Sequence, residues 1–392
     1  MKQASCPVCA SPAVHTFLQR KGVPVHQNLI MVDPESARQI ARGDLTMAVC
    51  TDCGFIFNRT FDPSLLRYGA AYDNTQTCSP SFREYMDGLL REIVEGRGVR
   101  NCCVVEVGCG KGQFLIDLVA RAGPGSMGVG FDPSYVGPDT ALDGRVRFER
   151  RFYGADCADV PADAVVCRHV IEHVPEPLEM LGNVRRALRH APDARVFFET
   201  PCVEWILRHQ VWWDFFYEHC SLFTAHSLAV AFGRSGFRVE RVRHVFGGQY
   251  LWLEARPDGQ GGHVERDAAG DIPGLAQQFA RAEEGLRDEW GRRIEALKVQ
   301  GKVALWGAGA KGVTFANLVD PDRAHLDCVV DMNPNKQGNY LPGTGHPILP
   351  FWRLAERGVR TAILMNPNYR AENERLLREA GLDIALVAQG TS

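Results

Sequence analysis

The stretch VVEVGCGKGQFLIDLV, residues 104–119, decides how this chain is read. An apolar, β-branched run leads into Gly108, Gly110 and Gly112, and an amphipathic run follows. That is a strand, a tight turn and a helix, the opening of a βαβ unit. Glycine suits the turn because it takes left-handed torsions and lets a ligand approach the backbone. In Glu106-x-Gly108-x-Gly110-x-Gly112 the third glycine comes one residue early for the dinucleotide pattern G-x-G-x-x-G. A carboxylate at Glu106 would also repel phosphate. The pattern asks for a ligand with a cationic end and no phosphate. S-adenosylmethionine, which carries an ammonium and a sulfonium, meets that demand. A second acid is then expected at the end of the next strand to hold the ribose hydroxyls, and GVGFDPS supplies Asp132. Phe152 and Asp156, in RRFYGADC (150–157), fall where an adenine contact is expected.

Outward from this turn, strand-like and helix-like runs alternate. A helix is expected from about 81. Strands are expected at 126–132, 163–170, 194–201, 237–245 and 250–257, and helices at 114–122, 177–190 and 225–236. Such alternation predicts an α/β fold, a mostly parallel sheet with helices on both faces. A glycine-rich polar stretch, ARPDGQGGHVERDAAGD, reads as a linker, and a helix follows with Leu275, Phe279, Leu286, Trp290, Ile294 and Leu297 on one face. A second βαβ run begins at KVALWGAGAKG. The expected division is a cysteine-bearing domain over 1–72, the glycine-turn domain over 73–258, a linker and connecting helix over 259–298, and a Rossmann-like α/β domain over 299–392.

The chain has 392 residues, more than one core usually serves, and is 45% hydrophobic with a net charge of −3. That balance argues against nucleic-acid and anionic-membrane partners, which favour a basic face. No apolar run reaches the ~18 residues of a membrane span, and MKQASCPVCASP lacks the apolar core of a signal peptide, so a cytoplasmic location is expected. Cysteines stay reduced there. Of the thirteen, Cys6 with Cys9 and Cys50 with Cys53 form two C-x-x-C knuckles. Two knuckles supply four thiolates for a tetrahedral, closed and therefore structural Zn2+ site. Oligomeric state is not fixed by the sequence.

The second glycine turn, Gly307-x-Gly309-x-x-Gly312 with Asp331 ending the next strand, has regular dinucleotide spacing. Read alone it suggests an NAD(P)-dependent oxidoreductase, the alternative to methyl transfer.

With these motifs in place, the chain resembles the three-domain sugar C-methyltransferases that act on nucleotide-linked keto-deoxysugars. The cysteine pairs with GVPVHQNLI between them, HVIEHVPEP (169–177), FYEHCSLFT (216–224), GAGAKGVTFANL and VVDMNPNKQGNYLPGTGHPI carry the resemblance, which runs over nearly the whole chain. It implies carbon methylation beside a ketone, with His219 as base, Glu218 as its neighbouring acid and Tyr72 as a catalytic tyrosine. Phe216 and Tyr217 stand where the family signature has tyrosine and histidine, so a substrate-positioning hydroxyl is either lost or moved to Tyr217. The second glycine domain then holds the substrate's nucleotide, with Lys311 and Lys336 meeting a pyrophosphate. O- or N-methylation of a sugar or other metabolite remains the alternative within the same cofactor class.

A carbon nucleophile needs a base near neutral pKa, and histidine suits that. Glu218 can orient the His219 ring only if the two lie in an irregular turn, since on a strand they would point apart. His173, just past the third cofactor-side strand, is expected as a second base or a donor to the keto oxygen. His169 reads as strand packing, and Trp212 and Trp213 as core or pocket wall.

Overall fold

The computed structural model describes residues 5–67, 69, 71–75, 77–258 and 269–389. The middle of the expected linker, 259–268, lies outside them. Three sheets organise the described chain.

The central sheet has eight strands, in spatial order Phe237–Val245, Tyr250–Pro257, Arg195–Pro201, Ala164–Arg168, Cys103–Val107, Met127–Phe131, Val146–Glu149 and Thr140–Ala141. The five from Arg195–Pro201 to Val146–Glu149 are parallel, and antiparallel strands close both edges. The parallel strands are buried on both faces. Val104, Val105, Val165, Val166, Val196 and Phe198 are all nearly inaccessible, which explains their continuous apolar runs. Helices Gln113–Arg121, Pro177–Ala187 and Ala225–Arg234 follow the expected segments. The strand Cys103–Val107 lies between Met127–Phe131 and Ala164–Arg168, so the chain turns opposite ways from it. That switch point opens a crevice at the carboxyl ends of the strands, directly over Gly108–Gly112.

The C-terminal sheet has five parallel strands, ordered Ile348–Leu349, Cys328–Val330, Lys302–Trp306, Val359–Leu364 and Ala385–Val387. Its first strand, Lys302–Trp306, is again central and runs into the second glycine turn. The helix Ile272–Lys298 joins the regions, and its Trp290 packs against Trp213 and Phe315.

The N-terminal region, whose sequence has little regular hydrophobic period, nonetheless forms a sheet. Val14–Pro24, Arg42–Cys50 and Ile56–Asn58 pair antiparallel. Register shifts between Thr16 and Leu18 and between Arg20 and Val23 break the two-residue alternation that would have revealed the first strand. A fourth strand, Ser221–Leu222, comes from the distant FYEHCSLFT segment and pairs with Ile56–Asn58. The N-terminal sheet therefore anchors the turn that carries His219.

Candidate active site

The glycine turn is built as its residue types require. Gly108, Gly110 and Gly112 have φ of 70°, 54° and 79°, in the left-handed region. Two of them are needed for packing: a Cβ on Gly108 would collide with Val170, and one on Gly112 with Phe148. At Gly110 a Cβ would meet nothing within 4 Å, so this backbone faces open space. Asp132 caps the turn, accepting the Gly110 N–H at 2.9 Å, the Ser134 N–H at 2.8 Å and the Ser134 hydroxyl at 2.6 Å. Glu106 is 3% exposed, and its Oε2 has no hydrogen-bond partner. Burial pushes its carboxyl up to about 8, against the pull of Arg168. An open backbone, a buried carboxylate oxygen without a donor and a partly exposed acid at the next strand end fit S-adenosylmethionine. Phe152 and Asp156 follow the strand Val146–Glu149, whose Glu149 carbonyl accepts the Asp132 N–H at 3.1 Å. Phe152 is 77% exposed, and Asp156 is exposed and paired with Arg151 at 2.7 Å.

A cavity of about 270 Å³ lies where the carboxyl ends of the central and C-terminal sheets face each other. His169 and Pro201 reach it from one side, and Gly307, Asp331 and Met365 from the other. His173, His219, Glu218, Phe216 and Tyr72 also line it. The His219 turn is irregular, as its expected role requires. Its ring stands edge-on to His173, with centroids 4.9 Å apart, and 4.1 Å from the Phe216 ring. Nδ1 of His219 is buried without a hydrogen-bond partner. Burial, then the nearby His173, His169 and Lys311, hold this imidazole well below the ordinary histidine range. It is therefore held neutral, and the same burial weakens it as a base.

The acid beside it has a different partner from the one expected. Glu218 is fully buried and takes the Gln27 N–H at 2.9 Å and the His26 Nδ1–H at 3.2 Å. His26 accepts the Arg67 N–H on its other nitrogen, which fixes that tautomer. Adjacent side chains diverge here, so Glu218 is held by the N-terminal region and does not orient His219. The carboxylate that does reach the histidines is Glu172. It is fully buried, and one of its oxygens lies within 4.8 Å of a nitrogen of His173 and one of His219. His169, expected to be strand packing, also lines the cavity, 3.3 Å from Glu172.

Tyr217 does not line the cavity. Its ring is fully buried against Gly43, and its hydroxyl is bonded to the Asp62 N–H at 2.8 Å. Phe216 occupies the cavity position, so no hydroxyl has moved one residue along. Trp212 and Trp213 are core, packed against Phe315.

The two lysines differ. Lys311 is neutralised by Asp214 at 2.7 Å and bonded to Gln249. Lys336 is 6% exposed and donates to Asn28 Oδ1 at 2.9 Å and the Ala308 carbonyl at 3.0 Å, with no ion pair among the described residues. Its ammonium sits beside the second glycine turn and the start of the helix Ala310–Val319. Asp331 caps that turn through the Ala308 N–H at 2.8 Å. Asp73, next to Tyr72, ties the regions together. It accepts from Lys111 at 2.7 Å, Asn335 at 2.9 Å and Asn333 at 3.1 Å. Burial raises its carboxyl, but the bonds from Lys111, Thr75 and Asn335 outweigh this and hold it below the usual range.

Cys6, Cys9, Cys50 and Cys53 are buried, with all four sulfurs within 4.8 Å of one another. Cys6 and Cys53 are 3.6 Å apart, and Cys9 and Cys50 are 3.4 Å apart. These are contacts between free thiols rather than disulfides, and the donor set suits a tetrahedral S4 metal site. Among the described residues no helix is long and apolar enough to cross a membrane.

Comparison with known proteins agrees with this geometry. Residues 75–242 match the family described as Methyltransferase domain, and residues 263–381 the family described as C-methyltransferase C-terminal domain. The second match replaces the oxidoreductase reading of the second glycine turn. The chain is similar to the C-methyltransferase NovU of Streptomyces niveus, at 27% identity over 96% of this chain and 93% of that protein. Over 25% of this chain and 41% of the relative, it is 32% identical to a ubiquinone biosynthesis O-methyltransferase of Salmonella paratyphi A. Among solved structures, the N,N-8-amino-8-demethyl-D-riboflavin dimethyltransferase RosA from Streptomyces davawensis is 24% identical across 45% of this chain and 54% of that one, with a TM-score of 0.34.

Proposed function

We propose that this chain, an S-adenosylmethionine-dependent methyltransferase, methylates a carbon adjacent to a ketone in a nucleotide-linked deoxysugar, with His219 as general base. The observation that carries the reading is the placement of His219 on the cavity wall, edge-on to His173 at 4.9 Å between ring centroids and with its Nδ1 bonded to no protein group. Methylation of oxygen or nitrogen often needs only a lone pair, whereas a carbon beside a ketone must first lose a proton.

The cofactor supplies an electrophilic methyl group on a sulfonium. The chain's residues do the rest. Glu106 receives the cationic end, Gly110 lets the backbone approach, and Asp132 takes the ribose hydroxyls. Phe152 and Asp156 are the adenine candidates. His219 takes the carbon proton, and His173 holds the ring edge-on and faces the keto group with Tyr72. Phe216 gives this wall an apolar surface. Glu218, held by His26, sets the turn that carries His219. On the opposite wall Lys336, buried without a counter-charge, is the natural partner of a substrate phosphate, and Lys311 assists by exchanging Asp214 for it. Cys6, Cys9, Cys50 and Cys53 hold a structural Zn2+ that fixes the N-terminal sheet and through it Ser221–Leu222. The expected four-part division of the chain and a cytoplasmic setting complete the reading.

The test uses thymidine- and uridine-diphosphate keto-6-deoxyhexoses with S-adenosylmethionine, the product mapped by NMR. A new methyl on carbon, abolished in His219→Asn with cofactor binding intact, supports the reading. A methyl on oxygen or nitrogen refutes carbon chemistry and leaves the cofactor site standing.

A further inference from the structure

We infer that His169 is a third imidazole of the site, beside His219 and His173, which donates a hydrogen bond from Nε2 to the ketone oxygen while the adjacent carbon loses its proton to His219. The inference rests on the carbon methylation proposed above and deepens it.

His169 is the first residue past the strand Ala164–Arg168. It lines the cavity, and the next residue, Val170, abuts Gly108 of the cofactor turn. The ring thus stands between the cofactor crevice and the space for substrate. Its backbone has φ 54°, a left-handed conformation that is strained for a residue other than glycine. The surroundings impose it. The His169 N–H is bonded to the Glu199 carbonyl at 2.9 Å, and the ring edge packs on Tyr250 with centroids 4.5 Å apart.

Each ring nitrogen faces a fully buried carboxylate. Nδ1 is 3.3 Å from Glu172 Oε1, and the other Glu172 oxygen takes the Thr200 hydroxyl at 3.0 Å. Nε2 is 3.6 Å from Glu199 Oε2, too far for a hydrogen bond, and is buried without a partner. Glu199 is already engaged by Arg168 Nε at 2.6 Å and by the Tyr85 hydroxyl. Glu172 thus holds Nδ1 and leaves Nε2 committed to no protein group, so that a turn of the ring toward the cavity brings Nε2–H to a substrate oxygen. His219 Nδ1, by contrast, is buried without a hydrogen-bond partner, and this ring is the one assigned to take the carbon proton.

The step balances. The C–H pair becomes the second bond between two carbons, the proton passes to a His219 nitrogen, and charge gathers on the oxygen facing His169. The carbon pair then bonds the methyl carbon, and the C–S pair leaves with sulfur. The carbonyl re-forms, His169 keeps its proton, and His219 releases its own to solvent.

The experiment begins with the wild-type chain, S-adenosylmethionine and the panel of thymidine- and uridine-diphosphate keto-6-deoxyhexoses. A methyl on oxygen or nitrogen, or no transfer to any member, overturns the carbon-methylation reading and this inference with it. With carbon methylation in hand, His169→Asn decides, since asparagine tolerates the left-handed backbone. S-adenosylmethionine affinity and the KM for the sugar are expected to hold. The kcat, and the rate at which the carbon beside the ketone exchanges its proton in D2O without cofactor, are both expected to fall by ~10²-fold or more. Glu172→Gln, with His169 intact, provides the same comparison should His169→Asn fold poorly. Wild-type exchange and turnover in the folded variants overturn the assignment. So does normal exchange with weakened cofactor binding, which would make His169 a cofactor residue.

Discussion

Replacing Glu106 with glutamine separates the charge of the cofactor turn from its shape. Glu106 is 3% exposed, and burial lifts its carboxyl from the ordinary 4.5 to about 8. Between those values the folded chain keeps a proton that the unfolded chain has released. The stability from this group is therefore fully present below 4.5 and is lost as pH rises toward 8. The slope is about 1.4 kcal/mol per pH unit, so the whole window is worth about 5 kcal/mol. Glutamine cannot ionise. Without cofactor, Glu106→Gln should melt above the wild type near pH 8 and close to it near pH 5. Cofactor binding should run the other way. A cationic ligand needs the carboxylate, so wild-type affinity should tighten about tenfold per pH unit on the approach to 8, and the variant should lack that slope. Titration of the ligand's own ammonium is common to both proteins and cancels in their ratio. Calorimetric titration and thermal melts across this range, at one ionic strength, measure both effects. A wild type whose affinity and melting temperature track the variant's at every pH would refute the idea that Glu106 is a buried, donor-starved carboxyl awaiting a cation.

Metal analysis of freshly purified protein should find about one zinc per chain, and Cys50→Ser should lower both zinc content and melting temperature; a zinc-free wild type sinks that site. Gly110→Ala should weaken S-adenosylmethionine binding while costing only about 1 kcal/mol of backbone strain, whereas Gly108→Ala, driven into Val170, should lose stability first. Equal behaviour of the two variants in melts and binding would remove the distinction between them. Tyr217→Phe leaves the Asp62 N–H without its partner and should cost about 1–3 kcal/mol in denaturant unfolding with an unchanged KM. A raised KM at full stability would return Tyr217 to the substrate site.

The strand, turn and helix around Gly108–Gly112 are legible because one local pattern dictates all three, and the antiparallel strands Phe237–Val245 and Tyr250–Pro257 fall at their expected bounds. The strand Val14–Pro24 was hidden, since two bulges scramble its alternation. The residue types of the site were also legible. Their partners were not, because partners are set by tertiary packing. Glu218 and His219 are neighbours in sequence, yet one faces His26 and the other His173. Glu172 was not legible as a site residue because nothing local reveals that Thr200, His169 and His219 converge on it. Tyr217 could be placed only by the fit of its ring over Gly43.

The pairing of Ser221–Leu222 with Ile56–Asn58 also has a consequence for biosynthesis. As the chain leaves the ribosome, the N-terminal sheet lacks its last strand until well over a hundred further residues have been made. At translation rates of roughly 5–20 residues per second, that wait is on the order of ten to thirty seconds. Throughout it, Ile56–Asn58 presents an unpaired edge, the kind of surface that recruits a wrong strand. A metal bound early by the four nearby cysteines would keep this nascent sheet from unravelling while it waits. Zinc starvation during synthesis should then lower the yield of soluble chain more than chelation of the finished protein does.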